Sequence, residues 1–79
     1  MPDMDYYETM RRIQYLRRTI AELEQENIDN EELLQDPRTP EMCKSELYGD
    51  IANNNRNIFY NREKLKDLEI TLGNTHKGR

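Results

Sequence analysis

Few residues in this chain are of types that do chemistry, and their spacing decides what they can do. Glu22, Glu24 and Glu26, followed by Glu31 and Glu32, form its densest carboxylate cluster. Oxygen-ligand sites of the EF-hand kind need a turn, fixed spacing and a glycine. These five carboxylates fall in an unbroken helix-forming stretch, so they read as a solvated helix face. Cys43 is the single cysteine, which leaves no intrachain disulfide and no cysteine-based metal site. A lone thiol near a helix start reads as packing rather than redox chemistry. The one histidine, His76, lies in the last few residues. No nucleophile stands beside a base, no glycine-rich loop follows a strand, and no carboxylate pair has a pocket to work in. The sequence therefore predicts no enzyme, no catalytic residue, no cofactor and no metal site.

The bases ask a different question. Arg11, Arg12, Arg17 and Arg18 bracket Ile13-Gln14-Tyr15-Leu16, and Arg56, Arg62, Lys64 and Lys66 recur later. Such bases grip phosphates, and Tyr15 and Tyr60 beside them would stack a base. Against a nucleic-acid partner stand the net charge of −4 and pI near 5.0, where dedicated binders usually exceed a domain pI of about 9. Glu63, Asp67 and Glu69 also interrupt the patch. Charge is unevenly spread: residues 22–50 hold ten acids against Arg38 and Lys44, whereas residues 51–79 hold six bases against three acids. A chain folding back near residue 38 has an acidic loop end and a basic open end. The acidic end invites the mirror reading, a mimic of nucleic acid that fills a basic groove.

Two long elements must position these groups. Ile13, Leu16, Ile20, Leu23, Asn27, Asn30 and Leu34 step by three and four, as do Leu47, Ile51, Asn54, Ile58, Asn61, Leu65, Leu68 and Leu72. That spacing lays side chains along one stripe of an α-helix. Apolar residues are 34% of the chain and charged residues 35%, a composition typical of coiled coils and long helices. Asp5 with Glu8 reads as a capping box, with Asp3 as a competing N-cap. Asp36-Pro37-Arg38-Thr39-Pro40 breaks the helix, because a residue before proline is pushed out of the α region. Thr39 is the expected N-cap of the second helix, with Pro40 at its first position. Gly73-Asn74 is its expected left-handed stop. The predicted fold is all-α: an antiparallel two-helix hairpin, helices over about 5–35 and 40–72, with coiled-coil-like packing, the second helix continuous or merely bent at Gly49 in preference to a break there. The chain makes one domain over 1–79, with 73–79 as a flexible tail.

In heptad letters, Ile13, Ile20, Asn27 and Leu34 take position a, and Leu16, Leu23 and Asn30 take d. On the second helix Ile51, Ile58, Leu65 and Leu72 are a, while Leu47, Asn54, Asn61 and Leu68 are d. One register stacks Ile13/Leu68, Leu16/Leu65, Leu23/Ile58, Asn27/Asn54 and Leu34/Leu47. A competing one stacks Ile13/Leu65, Ile20/Ile58 and Tyr6/Leu72 and strains the loop less, but sets Asn54 against Leu23 and Asn61 against Leu16. An unpaired buried amide costs about 1–3 kcal/mol, so the register pairing Asn27 with Asn54 is expected.

Off the seam lie Tyr7, Tyr15, Ile28, Tyr48, Phe59, Tyr60 and Ile70, too many for a chain this small unless a second face makes contacts. Two hairpins meeting in a four-helix homodimer, or a hairpin docked on another protein, would use them. The expected partner-binding residues are Tyr15, Phe59 and Tyr60 for apolar contact and Arg17, Arg18 and Arg62 for charge steering. No apolar run approaches the roughly 18 residues of a membrane span, and the acidic start lacks a secretory h-region, so a cytoplasmic location is expected. The expected function is a small helical regulator or inhibitor of a larger protein, of the type common among phage- and mobile-element-encoded proteins.

Overall fold

The computed structural model describes the backbone of residues 2–77 and the side chains of residues 6–73. It is an all-α hairpin of two helices, α1 (Pro2–Gln35) and α2 (Glu41–Lys77). Arg, Glu, Gln, Leu and Lys, which lose little side-chain freedom in a helix, predominate as a group in α1 and in residues 62–69 of α2, whereas the asparagine-rich 53–57 favours a helix only weakly by itself. The molecule is a rod of 58 × 15 × 14 Å.

Two boundaries differ from expectation. α1 starts at Pro2, so Asp3 and Asp5 lie inside its first turn and do not cap it. Proline suits a first helical position, where its missing N–H has no partner to lose. α2 passes Gly49 without a break, as favoured, but runs on through Gly73 to Lys77. Neither Gly49 nor Gly73 adopts the positive φ that a left-handed stop needs, and an interior glycine costs only about 1 kcal/mol against a continuous hydrogen-bond ladder. Of the expected flexible tail, residues 78 and 79 and the side chains from 74 onward lie outside the described residues.

The loop is built by Asp36. Its N–H ends α1 with hydrogen bonds to Glu32 O at 3.1 Å and Leu33 O at 3.2 Å. Its carboxylate accepts the Arg38 N–H at 2.9 Å, an Asx-type turn. Arg38 also donates its Nε at 3.1 Å and its Nη2 at 2.8 Å. The Arg38 guanidinium, with its backbone N–H second, holds the Asp36 carboxyl below its ordinary pKa, and the Arg38 pKa rises in return. Thr39 does not act as the expected N-cap: its hydroxyl donates to Leu33 O at the end of α1. The Pro40 carbonyl, accepting from Cys43 N–H at 3.0 Å, opens α2 instead.

The helices meet in the asparagine register. Asn54 Nδ2 donates to Asn27 Oδ1 at 3.0 Å and lies 3.1 Å from Glu26 Oε1, and Asn27 Nδ2 donates to Asn55 Oδ1 at 2.8 Å. Asn54 is buried with this network around it. The dry core is Ile13, Leu16, Ile20 and Ile58, all on the open-end side of the amide layer. Leu23, Leu65 and Leu68 are half-buried, as are Leu34, Leu47 and Ile51 on the loop side. Asn30 bears the cost of this register. It faces Ile51, which offers no acceptor side chain, and its Nδ2 is buried without a hydrogen bond.

Two substitutions follow, each read by thermal unfolding. A side chain at Gly49 would meet nothing within 4 Å, so Gly49→Ala should stabilise the fold by about 1 kcal/mol, raising Tm by roughly 4–8 °C. Asn30→Leu removes the unpaired amide and should stabilise by about 1–3 kcal/mol. An unchanged or lowered Tm in either variant contradicts the corresponding assignment.

Candidate interaction surface

The hairpin presents two broad faces, one on each side of its seam. Cross-helix ion pairs mark the first. Arg17 Nη2 lies 2.7 Å from Glu69 Oε2, and Arg62 pairs with Glu24. All four residues occupy heptad position e, the positions that meet across one flank of an antiparallel pair. Next to them around each helix comes position b, which holds Tyr7 and Ile28 on α1 and Phe59 on α2. The opposite face carries position c, with Tyr15 and Tyr60.

This geometry divides the six expected partner-binding residues. Phe59 shares the ion-pair face with Arg17 and Arg62, whereas Tyr15 and Tyr60 lie on the other face and Arg18 stands on the outer edge of α1. The three rings are exposed, at 65% for Tyr15, 64% for Phe59 and 63% for Tyr60. Arg17 and Arg62 are committed to their carboxylates, so two of the eight bases singled out in the sequence as phosphate-gripping are already paired. Tyr15 borders a shallow, open hollow of about 440 Å³ with Arg12, Leu16, Lys64, Asp67 and Leu68.

All seven off-seam apolar residues singled out in the sequence are exposed, and Leu33 and Met42 join them. Leu33 is one place off the seam and hides beside Leu34 in a sequence reading. Met42 lies in the first turn of α2, ahead of the periodic run that defines the second seam. Cys43, expected as packing, is exposed and free.

A second shallow hollow, bordered by Leu33, Asp36, Arg38, Pro40, Cys43 and Leu47, opens at the loop. Among the described residues, no group of three or more His, Cys, Asp or Glu side chains is placed to hold a metal ion. Nor is any described helix long and apolar enough to cross a membrane. No protein-family model, curated protein or solved structure matches this chain.

Proposed function

We propose that this chain is a non-enzymatic protein–protein interaction module, a small helical regulator or inhibitor that works by docking on a larger protein. One observation carries the reading: among the described residues nine large apolar side chains are exposed, whereas four are buried as core. Scattered apolar residues are normal on a protein surface. An excess over the core itself is not, because each exposed ring forgoes about 25 cal/mol per Å² of burial. Docking recovers that free energy. Exposed Tyr, Phe and Arg are the side chains that most often dominate interfaces, and the unequal charge of the two ends would orient a partner during approach. The free, unpaired Cys43 thiol suits a reducing compartment such as the cytoplasm.

Nucleic-acid binding is the second reading, favoured by the hollow that Tyr15 lines together with Arg12 and Lys64. The overall charge of −4 and the loss of Arg17 and Arg62 to ion pairs weigh against it. The acidic loop end, as a mimic of nucleic acid, is a variant of the first reading in which the partner has a basic groove.

Affinity capture from the native host, followed by titration of the partner recovered, separates these. Tyr15→Ala and Tyr60→Ala together, or Phe59→Ala with Tyr60→Ala, should weaken binding at least tenfold, about 1.4 kcal/mol, with helical circular dichroism unchanged. Binding that survives both pairs contradicts the docking surface. A purified nucleic-acid complex that weakens steeply from low to moderate salt would establish the second reading instead.

A further inference from the structure

The ion-pair face is self-complementary in shape. Position b recurs every seven residues from Tyr7 to Gln35 on α1 and from Ser45 to Gly73 on α2, five times on each helix, and only Lys66 among those ten is charged. On the opposite face, position c is charged at five of its nine places. An uncharged stripe of that length, on a chain with 35% charged residues, is what a covered face requires.

The amide layer fixes the height of each stripe residue. With Asn27 level with Asn54, Ala21 lies level with Phe59, Ile28 with Ala52, and Tyr7 with Gly73. Each of these rungs pairs a large apolar side chain on one helix with alanine or glycine on the other. Phe59 and Tyr7 are 64% and 69% exposed, and Ile28 about half. Ala21 and Ala52 are the only alanines in the chain, and both are exposed. A side chain built at Gly73 would meet nothing within 4 Å.

We propose that this face binds a second copy of the chain, related by a two-fold axis along the rod, to form a four-helix bundle with both loops at one end. That rotation lays α1 over α2 of the partner at constant height. Phe59 then enters the flat at Ala21 of the partner subunit, Ile28 the flat at Ala52 of the partner subunit, and Tyr7 the gap at Gly73 of the partner subunit. The symmetry repeats each contact in reverse, as an isologous interface must. Large side chains facing small ones let two layers interdigitate without voids. Arg17, Glu24, Arg62 and Glu69 are already paired within each hairpin, which leaves Glu31, among the described residues, as the position-e residue that brings a charge without an ion pair into the groove between the rungs, and water can remain there to solvate it. The inference rests on the reading of the outward apolar residues as contact surface and names the occupant of one face. Tyr15 and Tyr60 stay free on the other.

The dimensions agree. A compact monomer of this mass would expose roughly 5,100 Å², whereas the hairpin exposes 6517 Å². A face 58 Å long and 15 Å wide is of the size of the ~800 Å² per partner that stable complexes bury. A head-to-tail pairing would set acidic loop ends against basic open ends, but centred on the rod it superposes Phe59 on Phe59 of the partner subunit and Ala21 on Ala21 of the partner subunit, and the half-heptad slide that sets Phe59 on Ala52 of the partner subunit gives up overlap at both ends. Charges on exposed ends are screened beyond about 8 Å at physiological salt, and most loop-end acids lie off this face. Packing therefore decides the orientation, and bringing like ends together gives the dimer a distinctive salt response.

Sedimentation velocity on the full chain, across salt concentrations, tests this. The wild type should be a dimer at micromolar concentration and should tighten as salt rises. Phe59→Ala and Ala21→Phe should each weaken the dimer at least tenfold, and the double exchange Ala21→Phe/Phe59→Ala should restore it to within about threefold. Tyr15→Ala and Tyr60→Ala should leave it unchanged. Should a single variant lose helicity, an independent trap remains: Gln35→Cys/Ser45→Cys in a Cys43→Ser background should oxidise to a covalent dimer. A helical wild-type monomer overturns the proposal, and partner binding lost with Tyr15 and Tyr60 would still uphold the docking reading. A dimer that loosens with salt and fails to cross-link, or that ignores Phe59 and Ala21, also overturns it.

Discussion

Two buried amides decide what this molecule shows to the outside. Asn54 would cost about 1–3 kcal/mol if buried unpaired, and Asn27 offers it a hydrogen bond in only one alignment of the helices. Apolar layers alone discriminate poorly, because Ile and Leu recur on both seams and a shift of three residues still stacks aliphatic on aliphatic. Polar residues in an otherwise apolar seam commonly specify register at a cost in stability. The cost is visible at Asn30, and the alignment it accompanies sets every outward-facing position.

From that alignment follows a small core and a large surface. The dry layers gather on one side of the amides, around Ile13, Leu16, Ile20 and Ile58. The loop side is held by half-buried leucines and by the Asp36 turn. The radius of gyration is 17.7 Å, against roughly 12 Å for a compact chain of this length. A two-helix rod has no inside large enough for its own apolar residues, so they appear on its flanks. Core scarcity and the exposed contact surface are thus one fact. The ion pairs Arg17–Glu69 and Arg62–Glu24 add little stability where they stand, in solvent, but they remove charge from the groove they cross.

The sequence made the hairpin legible because its strongest signals are periodic. Steps of three and four residues, two prolines in five residues and a matching pair of asparagines specify helices, turn and register together. The ends were less legible. Asp5 and Glu8 resemble a capping box, but whether the helix starts there depends on Pro2 being usable as a first residue. Thr39 resembles an N-cap, but its hydroxyl is also within reach of Leu33 O, and that geometry exists only after the loop closes. Gly73 looked like a stop, yet glycine permits a left-handed turn without compelling one. The exposure of Tyr15, Phe59 and Tyr60 followed from their heptad letters. Their division between two faces needed the register, because positions b and c are adjacent in sequence but project from opposite flanks.

Disulfide trapping in a Cys43→Ser background tests the register most directly. Leu23→Cys with Ile58→Cys joins residues that share a layer when Asn27 meets Asn54, and Ile20→Cys with Ile58→Cys joins residues that share one in the shifted alignment. The account predicts that the first pair closes faster, with helical signal retained. Faster closure of the second pair would contradict the register, and with it the placement of every outward residue.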